Sequence, residues 1–122
     1  MENSVISIRP FIGARDFEES RNFYRDLGFT EINLAPKLSL FQNKTVAFYL
    51  QDAYVKDWVD NTMVFLEVKN LTQVYNDLLL LDLNAKYPNV RLIPIRTEQW
   101  GRECFLHDPS GILWHFGEFK TS

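Results

Sequence analysis

Two amphipathic helices with the same capping chemistry, 54 positions apart, constrain this chain more than any other feature. Asp16 stands where a helix N-cap belongs, with Glu19 three residues on, and Asn70 stands likewise with Gln73 three residues on. Behind the first cap, Phe17, Ser20, Phe23, Tyr24 and Leu27 recur at helical spacing, and Gly28 supplies the left-handed stop. Behind the second, Leu71, Val74, Tyr75, Leu78 and Leu81 do the same before Tyr87-Pro88 ends the segment. One extended run precedes each helix and three follow it. Residues 5–12, then 29–34, 38–42 and 46–50, belong to the first set, with a turn at Asn43-Lys44. Residues 62–68, then 90–95, 102–106 and 112–116, belong to the second, and residues 51–61 read as a polar loop between the sets. The order β-α-β-β-β therefore occurs twice. We expect an α+β fold in which two tandem βαβββ modules, about 5–50 and about 62–118 of a single domain spanning 1–122, form a curved mixed sheet around a cleft.

The last two runs carry the chemistry. Residues 100–117 read WGRECFLHDPSGILWHFG, a hairpin whose Asp108-Pro109-Ser110-Gly111 has the composition of a tight turn. In a strand of period 2, Ile112, Trp114 and Phe116 share one face while Leu113, His115 and Gly117 share the other. His115 thus points away from two large aromatics, into whatever the opposite face encloses.

Composition limits the possible functions. The net charge is −3, with no basic stretch to track phosphates, which argues against a nucleic-acid partner. Hydrophobic residues make up 46% of the chain and aromatics 15%, enough for a packed core. The single cysteine, Cys104, excludes an intrachain disulfide and a thiolate metal cluster, and inside a strand it reads as a small buried hydrophobe. The first residues lack a basic segment followed by an apolar run, and the longest aliphatic run, residues 78–81, is far too short to span a bilayer. A cytoplasmic protein without a membrane partner is expected. His107, beside Asp108 at the turn, is expected at the surface without a role.

The helix RDFEESRNFYRDLGF in the first module and DPSGILWHFG closing the second resemble the vicinal oxygen chelate superfamily, which includes glyoxalase I, the extradiol dioxygenases and the bleomycin-resistance proteins. The layout of Pro10, Arg15-Asp16-Phe17, Tyr87-Pro88 and Gln99-Trp100-Gly101 is most similar to the bleomycin-resistance branch. The enzymes of that superfamily hold a divalent metal with His, Glu or Gln from four strands. The resemblance places Arg9, Phe48 or a neighbour, Met63 and His115 at those positions, so that only His115 is a competent ligand. Arg9 would repel a cation, and Glu67, two residues past Met63, would complete at most a two-ligand site.

The resemblance therefore implies a metal-free small-molecule binding protein of the bleomycin-resistance, antibiotic-resistance type, without cofactor or catalytic residues. It would sequester a hydrophobic or cationic ligand in the cleft of a homodimer. The expected ligand-binding residues are Arg9, Phe48, Met63, Phe65, Trp100 and His115, with Trp58 beside Asp57 and Asp60 as a rim aromatic suited to a cation. Arg9, if buried, would take Glu67 or Glu103 as its partner. The alternative is a metal-dependent glyoxalase-like lyase or dioxygenase with an atypical site. A protein-interaction module on the same fold is a third class, with no feature in its favour.

Overall fold

The computed structural model describes residues 1–121 and shows the repeat as two four-stranded sheets. The first module runs β1 (Phe11–Gly13), α1 (Phe17–Leu27), β2 (Thr30–Ala35), β3 (Leu38–Asn43) and β4 (Val46–Gln51), in the sheet order β1-β4-β3-β2. A short helix α2 (Lys56–Asp60) leads into the second: β5 (Met63–Glu67), α3 (Leu71–Leu81), α4 (Leu83–Lys86), β6 (Arg91–Thr97), β7 (Gly101–His107) and β8 (Leu113–Phe119). Its order, β5-β8-β7-β6, repeats that of the first. In both sheets the strand before the helix lies parallel to the last strand of its module, and the other pairings are antiparallel.

The caps form as the sequence dictates. The Asp16 side chain accepts from the backbone of Glu19 at 3.1 Å, and that of Asn70 accepts from Gln73 at 3.3 Å. Gly28 closes α1 with φ of 113°, a left-handed conformation that costs a residue without Cβ little. The inward faces of α1 and α3 meet the helix-side faces of both sheets in one core, built around Phe23, Tyr24, Phe41, Phe48, Leu71, Leu106 and Trp114. Cys104 lies in this core, where burial pushes its thiol up to about 11.

One polar network crosses the core and joins the modules. Asp108 is fully buried. Its Oδ1 accepts from the backbone N–H of Ser110, Gly111 and Ile112, each at 2.9 Å, which fixes the β7–β8 turn. Its Oδ2 accepts from the Tyr24 hydroxyl of α1 at 2.6 Å, and that hydroxyl in turn accepts from Trp114 Nε1 at 2.9 Å. Burial raises the Asp108 carboxyl to about 6, against the pull of these four donors. The Ser110 hydroxyl accepts from the backbone of Arg15 at 2.9 Å, a second tie between the modules.

Four sequence expectations are corrected. The first strand covers only Phe11–Gly13, not residues 5–12: Pro10 has no N–H to donate, and the preceding Ile6 and Ile8 are 96% and 94% exposed. The segment 51–61 contains α2 and is not all loop. The β3–β4 turn falls at Lys44-Thr45, one residue later than expected, because Asn43 pairs with Val46 and Lys44 takes φ of 56°. His107 is half-buried, and burial together with Arg91 lowers its imidazole from the ordinary value.

Candidate functional site

Each sheet turns one face to the helices and leaves the other open, and pairing register says which side chains stand on the open face. In the second sheet Ile93, Phe105, His115 and Phe65 are successive partners across β6, β7, β8 and β5. Trp114 and Phe116, on the opposite face of β8, are buried in the core. His115 therefore does face away from the two aromatics, as its strand alternation requires. The next row holds Arg96, Glu103, Gly117 and Glu67, and Met63 stands in the row on the other side.

Around His115 the open face is aromatic. Phe105 meets its ring edge-on at a centroid distance of 4.9 Å, and Phe65 lies 6.2 Å away on the other side. Phe65 also touches Trp100 and Phe119, each at 5.8 Å, and those two lie 5.2 Å apart. The Arg96 guanidinium stacks over Phe105 at 4.7 Å while pairing with Glu98 at 2.8 Å. Although Phe65 and Phe119 belong to a folded chain, they are 45% and 49% exposed, and Met63 is 64% exposed. Large apolar groups left this open are the ordinary mark of a surface meant to be covered.

One residue of the site was not anticipated as such. Glu103 Oε1 lies 3.0 Å from His115 Nδ1, and Glu103 is buried. Its direct cross-strand partner is Gly117, and the ring of Phe65 takes the place a side chain there would fill. The signal in the sequence was the alternation of β7, which puts Glu103 and Phe105 on one face with Cys104 on the other.

The remaining candidate residues fall elsewhere. Arg9 is exposed and donates to the Tyr49 hydroxyl at 3.2 Å, so it takes neither Glu67 nor Glu103 as a partner. Phe48 is a core residue, 2% exposed and stacked against Phe41 at 5.6 Å. The position matching His115 in the first sheet is Tyr49, which pairs with Phe11 as His115 pairs with Phe65. Arg9, Phe48 and Phe65 nevertheless contribute to one recess of about 670 Å³ between the modules, with Ile8, Val64 and Trp114. Trp58 is 74% exposed on α2, and Asp60 beside it is held by Lys56 at 2.6 Å. A larger recess, about 810 Å³, lies at the start of α3, but its Arg102 and Glu118 already satisfy each other at 2.7 Å.

The positions at which the resemblance would place a metal are Arg9, Phe48 or its neighbour Tyr49, Met63 and His115. A guanidinium, a phenol, a thioether and one imidazole do not make a site for a divalent cation, which needs about three anionic or imidazole ligands. Among the described residues no group of three His, Cys, Asp or Glu side chains is placed to hold a metal ion. No helix among them is long and apolar enough to cross a membrane.

No protein-family model matches the chain, and no curated protein matches it in sequence. Solved structures do match it in fold. The bleomycin-binding protein from bleomycin-producing Streptomyces verticillus, in complex with copper(II)-bleomycin, superposes with a TM-score of 0.81 at 19% identity, covering 96% of this chain and 98% of that one. A bleomycin resistance determinant encoded on the transposon Tn5 gives 0.76 at 20% identity, over 96% of this chain and 100% of the other. TnmS3, an antibiotic binding protein from Streptomyces sp. CB03234, gives 0.74 at 15% identity, over 96% and 98%. The chain has the fold that these proteins share with the glyoxalases, the vicinal oxygen chelate fold that its sequence resembles.

Proposed function

We propose that this protein binds a small, largely hydrophobic aromatic molecule without a metal, in the manner of the bleomycin-resistance type, and sequesters it rather than transforming it. The observation that carries this reading is the open face of the second sheet, where Phe65 and Phe105 flank His115 in its pair with Glu103, and Trp100 and Phe119 extend the aromatic surface from Phe65. Apolar walls with a few placed polar groups are what a ligand pocket of this kind needs. The fold neighbours described as bleomycin-binding or antibiotic-binding add support, and the unsuitable donor set at Arg9, Tyr49, Met63 and His115 weighs against lyase or dioxygenase chemistry through a bound metal.

The same geometry supports a homodimer. The first sheet also has an open face, with Phe11 55% and Ile32 42% exposed in the row that contains Tyr49 and Leu40. If the first sheet of one copy covers the second sheet of another, a twofold axis repeats the contact and encloses two equal clefts. Such an interface should bury on the order of 1,200 Å² or more.

Titration with bleomycin and a panel of aromatic antibiotics, followed by Trp fluorescence, tests the function. Saturable quenching that disappears in Trp100→Leu supports it. Absence of binding by any of them, or close to one equivalent of Zn, Ni, Fe or Mn per chain after dialysis, contradicts it.

A further inference from the structure

We infer that Glu103 sets the tautomer of His115, and that the open face thereby selects a neutral aromatic hydrogen-bond donor, a phenol or an N–H heteroarene. This deepens the binding function proposed above and rests on it. A carboxylate only accepts hydrogen bonds, so the contact between Glu103 Oε1 and His115 Nδ1 at 3.0 Å places the proton of the neutral ring on Nδ1. Nε2 is then left with its lone pair and no proton. The imidazole is held for this role on three sides: by Glu103, by Phe105 edge-on at 4.9 Å and by Phe65 at 6.2 Å. Its side chain retains 21% exposure, so the ring is accessible from the open face.

The ligand chemistry follows from what surrounds that acceptor. A flat apolar body fits against Phe65, Trp100 and Phe119, which form one continuous aromatic wall. A group donating to Nε2 from such a body is a hydroxyl or N–H on the aromatic ring itself. The Arg96 guanidinium is paired with Glu98 at 2.8 Å and the Glu103 carboxylate with His115 at 3.0 Å, so neither is left as a free counter-ion for a charged ligand. Anions meet the Glu103 carboxylate. Glu103 is accordingly a positioning residue, and His115 the one that touches the ligand.

Nitrogen NMR of the imidazoles tests the first step without any ligand, with His107→Gln used to assign the two histidines. The expected spectrum shows His115 as the Nδ1–H tautomer. In Glu103→Leu, which offers Nδ1 no acceptor, the ring should convert to the Nε2–H form that an unconstrained imidazole prefers. A neutral ring in the Nε2–H form in the unmodified protein overturns the inference. The second step uses phenol, anisole and toluene: anisole replaces the donor hydrogen with a methyl group, and toluene matches phenol in size without the hydroxyl. Phenol should bind about fivefold more tightly than either, the size of one net hydrogen bond, and shift the Nε2 resonance. In Glu103→Leu the preference should vanish. Binding of phenol no tighter than that of anisole or toluene overturns this inference while leaving the proposed function standing; binding of none of them at this face contradicts both.

Discussion

The ring of Phe65 lies across Gly117: a Cβ built on that glycine would stand 2.3 Å from Phe65 Cζ. The two residues sit on adjacent parallel strands, and the missing side chain lets the phenyl group tip towards Trp100 and Phe119. A glycine in a strand interior is otherwise a weakness, so its presence here marks a close approach with a purpose.

Gly117→Ala should therefore separate binding from stability. Phe65 is 45% exposed and has room to swing outwards, so the added methyl group should cost less than the roughly 1–3 kcal/mol typical of overpacking in a core. The aromatic wall, however, would be broken, and affinity for aromatic ligands should fall several-fold. Chemical denaturation and a binding titration on the same sample check both halves.

Tyr24→Phe tests the network that joins the modules. The substitution removes one of the four donors to Asp108 and leaves Trp114 Nε1 without its acceptor, all in the buried core. Stability should drop by about 1–3 kcal/mol, the cost of stranding a buried polar group. The urea midpoint is the measurement, and a change within about 0.5 kcal/mol would show the network to be energetically idle.

Glu31 predicts the acid limb of the stability curve. Burial would raise its carboxyl, but hydrogen bonds from Arg21 and Ser39 and the charges of Arg21 and Arg25 outweigh this and hold it below its ordinary 4.5. A depressed carboxylate contributes stability above its unfolded value and loses it as pH falls through the folded one. Glu31→Gln should be less stable than the unmodified protein by about 2 kcal/mol at pH 7, the worth of hydrogen bonds to a charged group. That gap should close as pH falls below about 4.5. Asp108, raised to about 6, works in the opposite sense between its unfolded value and that pH, but it is common to both proteins and cancels in the difference.

The element order and the helix caps were legible because they depend on local chemistry: Asp16, Gly28 and Asn70 each do what their type does. His115 was legible because β8 alternates Trp, His, Phe, Gly with unlike neighbours. The strand β4 offers no such mark. Ala47, Phe48, Tyr49 and Leu50 are all apolar, so its phase could not be read, and Phe48 was expected where Tyr49 stands. Helix α2 escaped notice because it is five residues long and Val55 at its N-cap makes no side-chain bond. The partner of Arg9 depended on where Pro10 ends the pairing of β1, a matter of tertiary register.

The central claim is that aromatic ligands occupy the open face of the second sheet. Chemical-shift mapping with a small aromatic set, phenol, anisole, indole and naphthalene, tests it most directly. The account predicts shifts concentrated at the Trp100 indole N–H, His115, Phe65 and Phe119, with loss of the pattern in His115→Ala at unchanged fold. Shifts confined to Ile8, Arg9, Thr45 and Val46 in the recess between the modules, or to Trp58, would contradict it.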